Sequence, residues 1–164
     1  SRLVLRMFSA LAAALLLSAS PTPALVLARA PSAVVPQSVA GEPLFADIAR
    51  HAGALKNEVA AWRAAGGSEK SLPGFAAFDG SILALAREDM KGHIALVTSG
   101  QDNDLKCILK GIAEDLPGKL QAIKIAGTPH ARDEALEEMM YLLRDNQQVI
   151  TTPPSLPPTT VPAA

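Results

Sequence analysis

The chain has 164 residues, of which 49% are hydrophobic, 19% charged and 4% aromatic, with 13 prolines and one cysteine. That length holds one ordinary domain and excludes a TIM barrel or a two-domain dehydrogenase. A net charge of −1 supplies no basic footprint for nucleic acid, and a single cysteine excludes an intrachain disulfide or a Cys-based zinc finger.

The amino terminus reads as an export signal. Arg2 and Arg6 precede an apolar run from Met7 to Ala19, and small residues follow. A positive start, a short apolar stretch and a small-residue cleavage site form the pattern of a secretory signal. Cleavage is expected near Ala28, giving a signal peptide over 1–28 and a periplasmic or secreted bacterial protein. Pro21 and Pro23 interrupt the apolar span, which leaves it short for a membrane crossing. No stable membrane insertion is expected after cleavage. Residues 29–43 are rich in Pro, Ala and Val and read as a flexible linker.

Ten of the prolines lie in 1–43 and 151–164, and only Pro73, Pro117 and Pro129 fall between. Proline interrupts helices and central strands, so the folded domain is expected over 44–150. Four amphipathic segments fill it. The first starts after Pro43, with Phe45, Ile48, Ala52, Leu55, Val59 and Trp62 three or four apart, and Gly66-Gly67-Ser68 stops it near Ala65. The second runs from Phe75 or Asp79 to Ser99. Its face is Phe75, Phe78, Ile82, Leu85, Ala86, Leu96 and Val97, and Gly100 suits a left-handed C-terminal cap. The third begins near Asp102-Asn103-Asp104 and carries Leu105, Ile108, Leu109, Ile112, Leu116, Leu120 and Ile123. Pro117 is expected to kink or split it, with Asp115 capping the second piece. The fourth follows Thr128-Pro129, with Leu136, Met139, Met140, Leu143, Val149 and Ile150 on one face. No segment alternates as a strand does. The expected fold is all-α, an antiparallel up-down-up-down four-helix bundle kinked at Pro117. The Pro/Thr-rich segment 151–164 reads as a disordered tail.

Some polar residues fall on apolar arcs. Asp89 and His93 lie inside the arc of the second helix, four apart, where they are able to touch. A carboxylate beside an imidazole fixes a tautomer, raises a pKa or shares a metal. His51 is the expected third metal group, with Glu58 and Asn146 as further contributors. The alternative is a hydrogen-bonded polar layer inside the bundle. On the third helix, Cys107, Gly111, Gly118 and Ala122 form a small-residue seam where another helix or a second subunit approaches. The alternative there is a half-buried thiol acting as a small hydrophobe.

Catalytic signatures are missing from the sequence. It has no Cys-x-x-Cys-His, no His-Glu-x-x-His, no phosphate-cradling glycine loop and no Gly-x-Ser-x-Gly elbow. Asp133, Glu134, Glu137 and Glu138 open the fourth helix, where acids match its dipole. Tyr141 lies among them on the polar face.

The stretch from Asp104 to Pro117, with Tyr141 to Asn146, resembles segments of small exported bacterial proteins that have no assigned activity. The overall plan resembles the cytochrome b562 and cytochrome c′ bundles, which implies the fold. The haem-attachment motif and a clear Met/His axial pair are missing here. The leading expectation is therefore an exported helical interaction or structural module, not an enzyme and with no cofactor. An unknown protein or a second copy is its expected partner, and nucleic acid is not. The alternative is a bundle holding a divalent metal or haem through Asp89 and His93.

Overall fold

The computed structural model describes residues 38–101 and 104–152. The expected signal peptide, most of the linker and nearly all of the tail lie outside them. Four helices follow in order: α1 Pro43–Ala64, α2 Phe75–Thr98, α3 Leu105–Ile125 and α4 Pro129–Thr151. Each boundary has a local cause. Pro43 and Pro129 sit in the first turns of α1 and α4, where a missing N–H costs nothing. Thr128 caps α4, its Oγ1 accepting from the Ala131 N–H at 3.1 Å.

Two helices end in the same left-handed glycine motif. Gly66 and Gly100 have φ of +77° and +69°. After α1, the Gly66 and Gly67 N–H groups donate to Arg63 O and Trp62 O at 3.1 and 2.8 Å. After α2, Gly100 and Gln101 donate to Val97 O and Leu96 O at 3.1 and 3.2 Å. These bonds satisfy carbonyls that the helix end would otherwise orphan.

The helices form a closed ring. α1 packs on α2 and α4, α3 packs on α2 and α4, and no backbone packing occurs across either diagonal. Ends meet starts throughout. Trp62 near the end of α1 meets Phe78 near the start of α2, ring centres 4.8 Å apart. Arg63 donates to Asp133 near the start of α4 at 3.0 and 3.1 Å. Lys124 at the end of α3 pairs with Asp79 near the start of α2 at 2.7 Å. The bundle is thus antiparallel and up-down-up-down.

All six residues expected on the α1 face are buried, and the apolar stripes of α3 and α4 also line the core. Burying each large aliphatic side chain contributes about 1.5–3 kcal/mol. Where α1, α2 and α3 approach, Gly92 leaves no slack. A Cβ there would lie 3.1–3.3 Å from Leu109, Phe45 and Ile48.

Three expectations need correcting. Val97 was expected on the core face of α2 but is 52% exposed. The buried arc runs through Phe78, Ile82, Leu85, Asp89, Gly92 and Leu96, and Val97 lies a further 100° round from Leu96. The linker does not extend to residue 43, because Val39 is buried in the core and Ala40 packs against it. α3 is not split at Pro117, and Asp115 caps no second piece. The helix runs on to Ile125 with Pro117 exposed, so the ring costs the Ala113 carbonyl its helical donor without ending the element. No described helix is long and apolar enough to cross a membrane.

Glycines at open and closed positions should respond oppositely to alanine. At Gly67 a Cβ would meet Trp62 O at 2.8 Å and Leu72 at 2.9 Å, whereas Gly80 has nothing within 4 Å. Urea unfolding should show Gly67→Ala destabilised by about 1–3 kcal/mol. Gly80→Ala should be stabilised by about 0.5–1 kcal/mol, since alanine restricts the unfolded chain and favours helix.

Candidate functional site: a buried acid–amide pair

Helical spacing carries two polar side chains into the core. Asp89 follows Leu85 by four residues and precedes Gly92 by three, and Asn146 follows Leu143 by three and precedes Ile150 by four. Asp89 and Asn146 are each 0% exposed. The Asn146 Nδ2 donates to Asp89 Oδ2 at 2.7 Å. Since α2 and α4 face each other across a diagonal, this bond spans the middle of the bundle. α1 carries small buried residues at Ala49, Ala52 and Gly53. Gly53 approaches Gln147, the neighbour of Asn146, so closely that a Cβ would lie 2.6 Å from its Nε2.

The pair is short of donors. Asp89 Oδ1 and Asn146 Oδ1 are both buried with no hydrogen-bond partner, and an orphaned buried acceptor costs about 1–3 kcal/mol. Burial pushes the Asp89 carboxyl up to about 7, the Asn146 bond opposes this, and neighbouring Glu88 adds to it. A proton on Asp89 removes the buried charge and supplies the donor that the two oxygens lack.

The residues expected to join Asp89 go elsewhere. His93 is half-buried, and its Nδ1 donates to the Lys106 carbonyl of α3 at 2.6 Å. The ring ties α2 to the first turn of α3 and does not pair with Asp89. His51 Nδ1 lies 2.7 Å from Glu88 Oε2, and Arg50 Nη2 lies 3.2 Å from His51 Nε2. Arginine only donates, so Nε2 accepts and the Nδ1 proton goes to Glu88. The predicted metal set of Asp89, His93 and His51 is therefore not assembled, each having a different partner. Among the described residues no group of three His, Cys, Asp or Glu side chains could hold a metal ion. Glu58 is half-buried, and burial raises its pKa.

The α3 seam faces outward. Cys107 is exposed, which corrects the half-buried alternative. A Cβ on Gly111 or Gly118 would meet nothing within 4 Å. Ala122 is half-buried against the core. Tyr141 donates to Glu137 Oε1 at 2.7 Å, and the Arg144 guanidinium lies 4.9 Å from its ring centre. Sequence reasoning placed Asp89 and Asn146 on core-facing arcs. It missed Glu88 as the partner of His51, because helix-to-helix rotation decides which side chains meet. It also missed an apolar row on the outside of α2, where Leu83, Ile94 and Val97 are 38%, 55% and 52% exposed. Leu83, Met90 and Val97 are seven apart, and that spacing was the available signal.

The carboxyl pair makes stability depend on pH. A carboxyl whose pKa is higher folded than unfolded binds its proton more tightly in the native state. Its contribution is complete below the ordinary carboxylate range, near 3.8, and is lost as pH rises to about 7. Within that window the folding constant should fall by up to about tenfold per pH unit from this group. Urea unfolding between those limits should show the decline, and Asp89→Asn, which carries no charge at any pH, should flatten it. No protein-family model, curated protein or solved structure matches the chain.

Proposed function

We propose that this chain is an exported helical protein that works as an interaction or structural module in the periplasm or outside the cell, and not as an enzyme. The export half of this reading rests on Arg2, Arg6 and the apolar run from Met7 to Ala19. The module half rests on the surface of α2. Leu83, Ile94 and Val97 face solvent at 38–55% exposure, and with half-buried Met90 they form a row that the core does not use. Apolar rows of this kind mark contact surfaces. Leu83, Met90 and Val97 repeat every seven residues, the spacing at which one helix packs along another, so the partner favoured here is a second copy of the chain. Asp89 is bonded to Asn146, His93 to the α3 backbone and His51 to Glu88.

Sedimentation velocity over micromolar to millimolar concentration should show reversible self-association, which Ile94→Glu with Val97→Glu abolishes at unchanged helix content. A monomer throughout that range removes the self-association reading. N-terminal sequencing of the exported protein should begin near Arg29, and recovery from the membrane fraction of a chain that still carries the run from Met7 to Ala19 counts against export with cleavage.

A further inference from the structure

At the end of the bundle where α1 turns into α2 and α3 into α4 lies a groove of about 290 Å³, lined by Ser71, Leu72, Phe75, Ile123, Lys124 and Arg132. Its volume is near the lower end for small-molecule pockets, about 300 Å³. Four elements of the chain build it, and its wall is held from two sides. The Trp62 Nε1 donates to Pro73 O at 3.1 Å, and Arg132 Nη1 donates to Lys70 O at 3.0 Å. Leu72, Phe75 and Ile123 all belong to the core cluster or pack against it, so the apolar part of the lining is backed by the fold.

The charges on the groove are unequal. Lys124 is neutralised by Asp79 at 2.7 Å. Arg132 is half-buried and meets no carboxylate among the described residues. Asp133, beside it on α4, is taken by Arg63 at 3.0 Å. Arg50, Arg63 and Arg144 each have a carboxylate partner. A guanidinium bonded only to the Lys70 carbonyl keeps four N–H donors for a planar anion. Ser71 adds a hydroxyl on the rim.

We propose that this groove binds a small organic monocarboxylate, with the carboxylate on Arg132 and Ser71 and the apolar body against Leu72, Phe75 and Ile123. One cation of unmatched charge beside an apolar floor selects that chemistry. A neutral ligand leaves Arg132 unpaired, a cation is repelled by it, and a small inorganic anion leaves the floor exposed to water. The site lies on residues distinct from the α2 row, so it does not depend on the module reading.

The single tryptophan gives a direct readout, because the Trp62 ring centre lies 6.1 Å from that of Phe75 in the groove lining. The full chain is titrated with octanoate below its micelle concentration, and with octanol and octylamine as neutral and cationic analogues. Trp62 emission and the amide resonances of Ser71, Phe75, Ile123, Lys124 and Arg132 are followed. Octanoate should give saturable shifts at these residues, and both analogues should bind at least about tenfold more weakly. Arg132→Gln keeps a donor for the Lys70 carbonyl and removes the charge, and it should weaken octanoate by about tenfold or more. If that variant loses its helical signal, the ranking of the three probes on the unaltered chain decides. Equal binding of octanol, no saturable shift, or shifts confined to Leu83, Ile94 and Val97 overturns the proposal.

Discussion

A carboxyl group and an amide meet in the interior of a bundle that is otherwise aliphatic and aromatic, and the rest of the packing accommodates them. Asp89 and Asn146 belong to helices that do not touch through their backbones, so their 2.7 Å bond requires both to point along the diagonal. A one-residue shift of either helix rotates its side chain by 100° and leaves a buried polar group without its partner. Such groups contribute little net stability, because desolvation offsets most of the bond. Their effect is on uniqueness, since alternative registers that would suit Leu, Ile and Ala equally well orphan the acid and the amide.

Small residues of α1 set how closely the helices approach. Ala49, Ala52 and Gly53 occupy buried positions, and Gly53 lets the Gln147 side chain come within the reach of a Cβ. Gly92 makes a similar adjustment, allowing Leu109, Phe45 and Ile48 to close over α2. Polar groups outside the centre extend this arrangement to the surface. His93 fixes α2 to the start of α3, and His51 fixes α1 to α2 through Glu88. The two imidazoles with interhelical partners are thus committed to joining helices. Residues that look chemically capable one at a time serve as internal fasteners once their partners are identified.

Two outer features of the bundle are not explained by the bundle itself. The α2 row is apolar where water would favour polar side chains, and Arg132 lines a groove with no carboxylate beside it among the described residues. Neither adds to the core. Each is the kind of local inconsistency that a fold tolerates when another molecule completes it. They sit on different elements, one on α2 and the other at the start of α4.

The sequence by itself determined the helices, because the information is local. Apolar residues three and four apart, prolines in first turns, Thr128 as a cap and Gly100 after α2 act within a few residues of one another. They placed all four helices within a few residues of their observed ends. They also placed Asp89 and Asn146 on core-facing arcs, since periodicity alone settles that. Only the tertiary structure decided which polar groups meet. His93 is four residues from Asp89 and able to reach it, yet it bonds to Lys106 O. Asn146, distant in sequence, is the group that Asp89 finds. That choice depends on how each helix is rotated about its own axis when the four close into a ring. The rotation is set by the summed packing of every face, including Val39 from the expected linker and Val97 turned to solvent. No single segment carries that sum, so the partners of a buried acid cannot be read from its own helix.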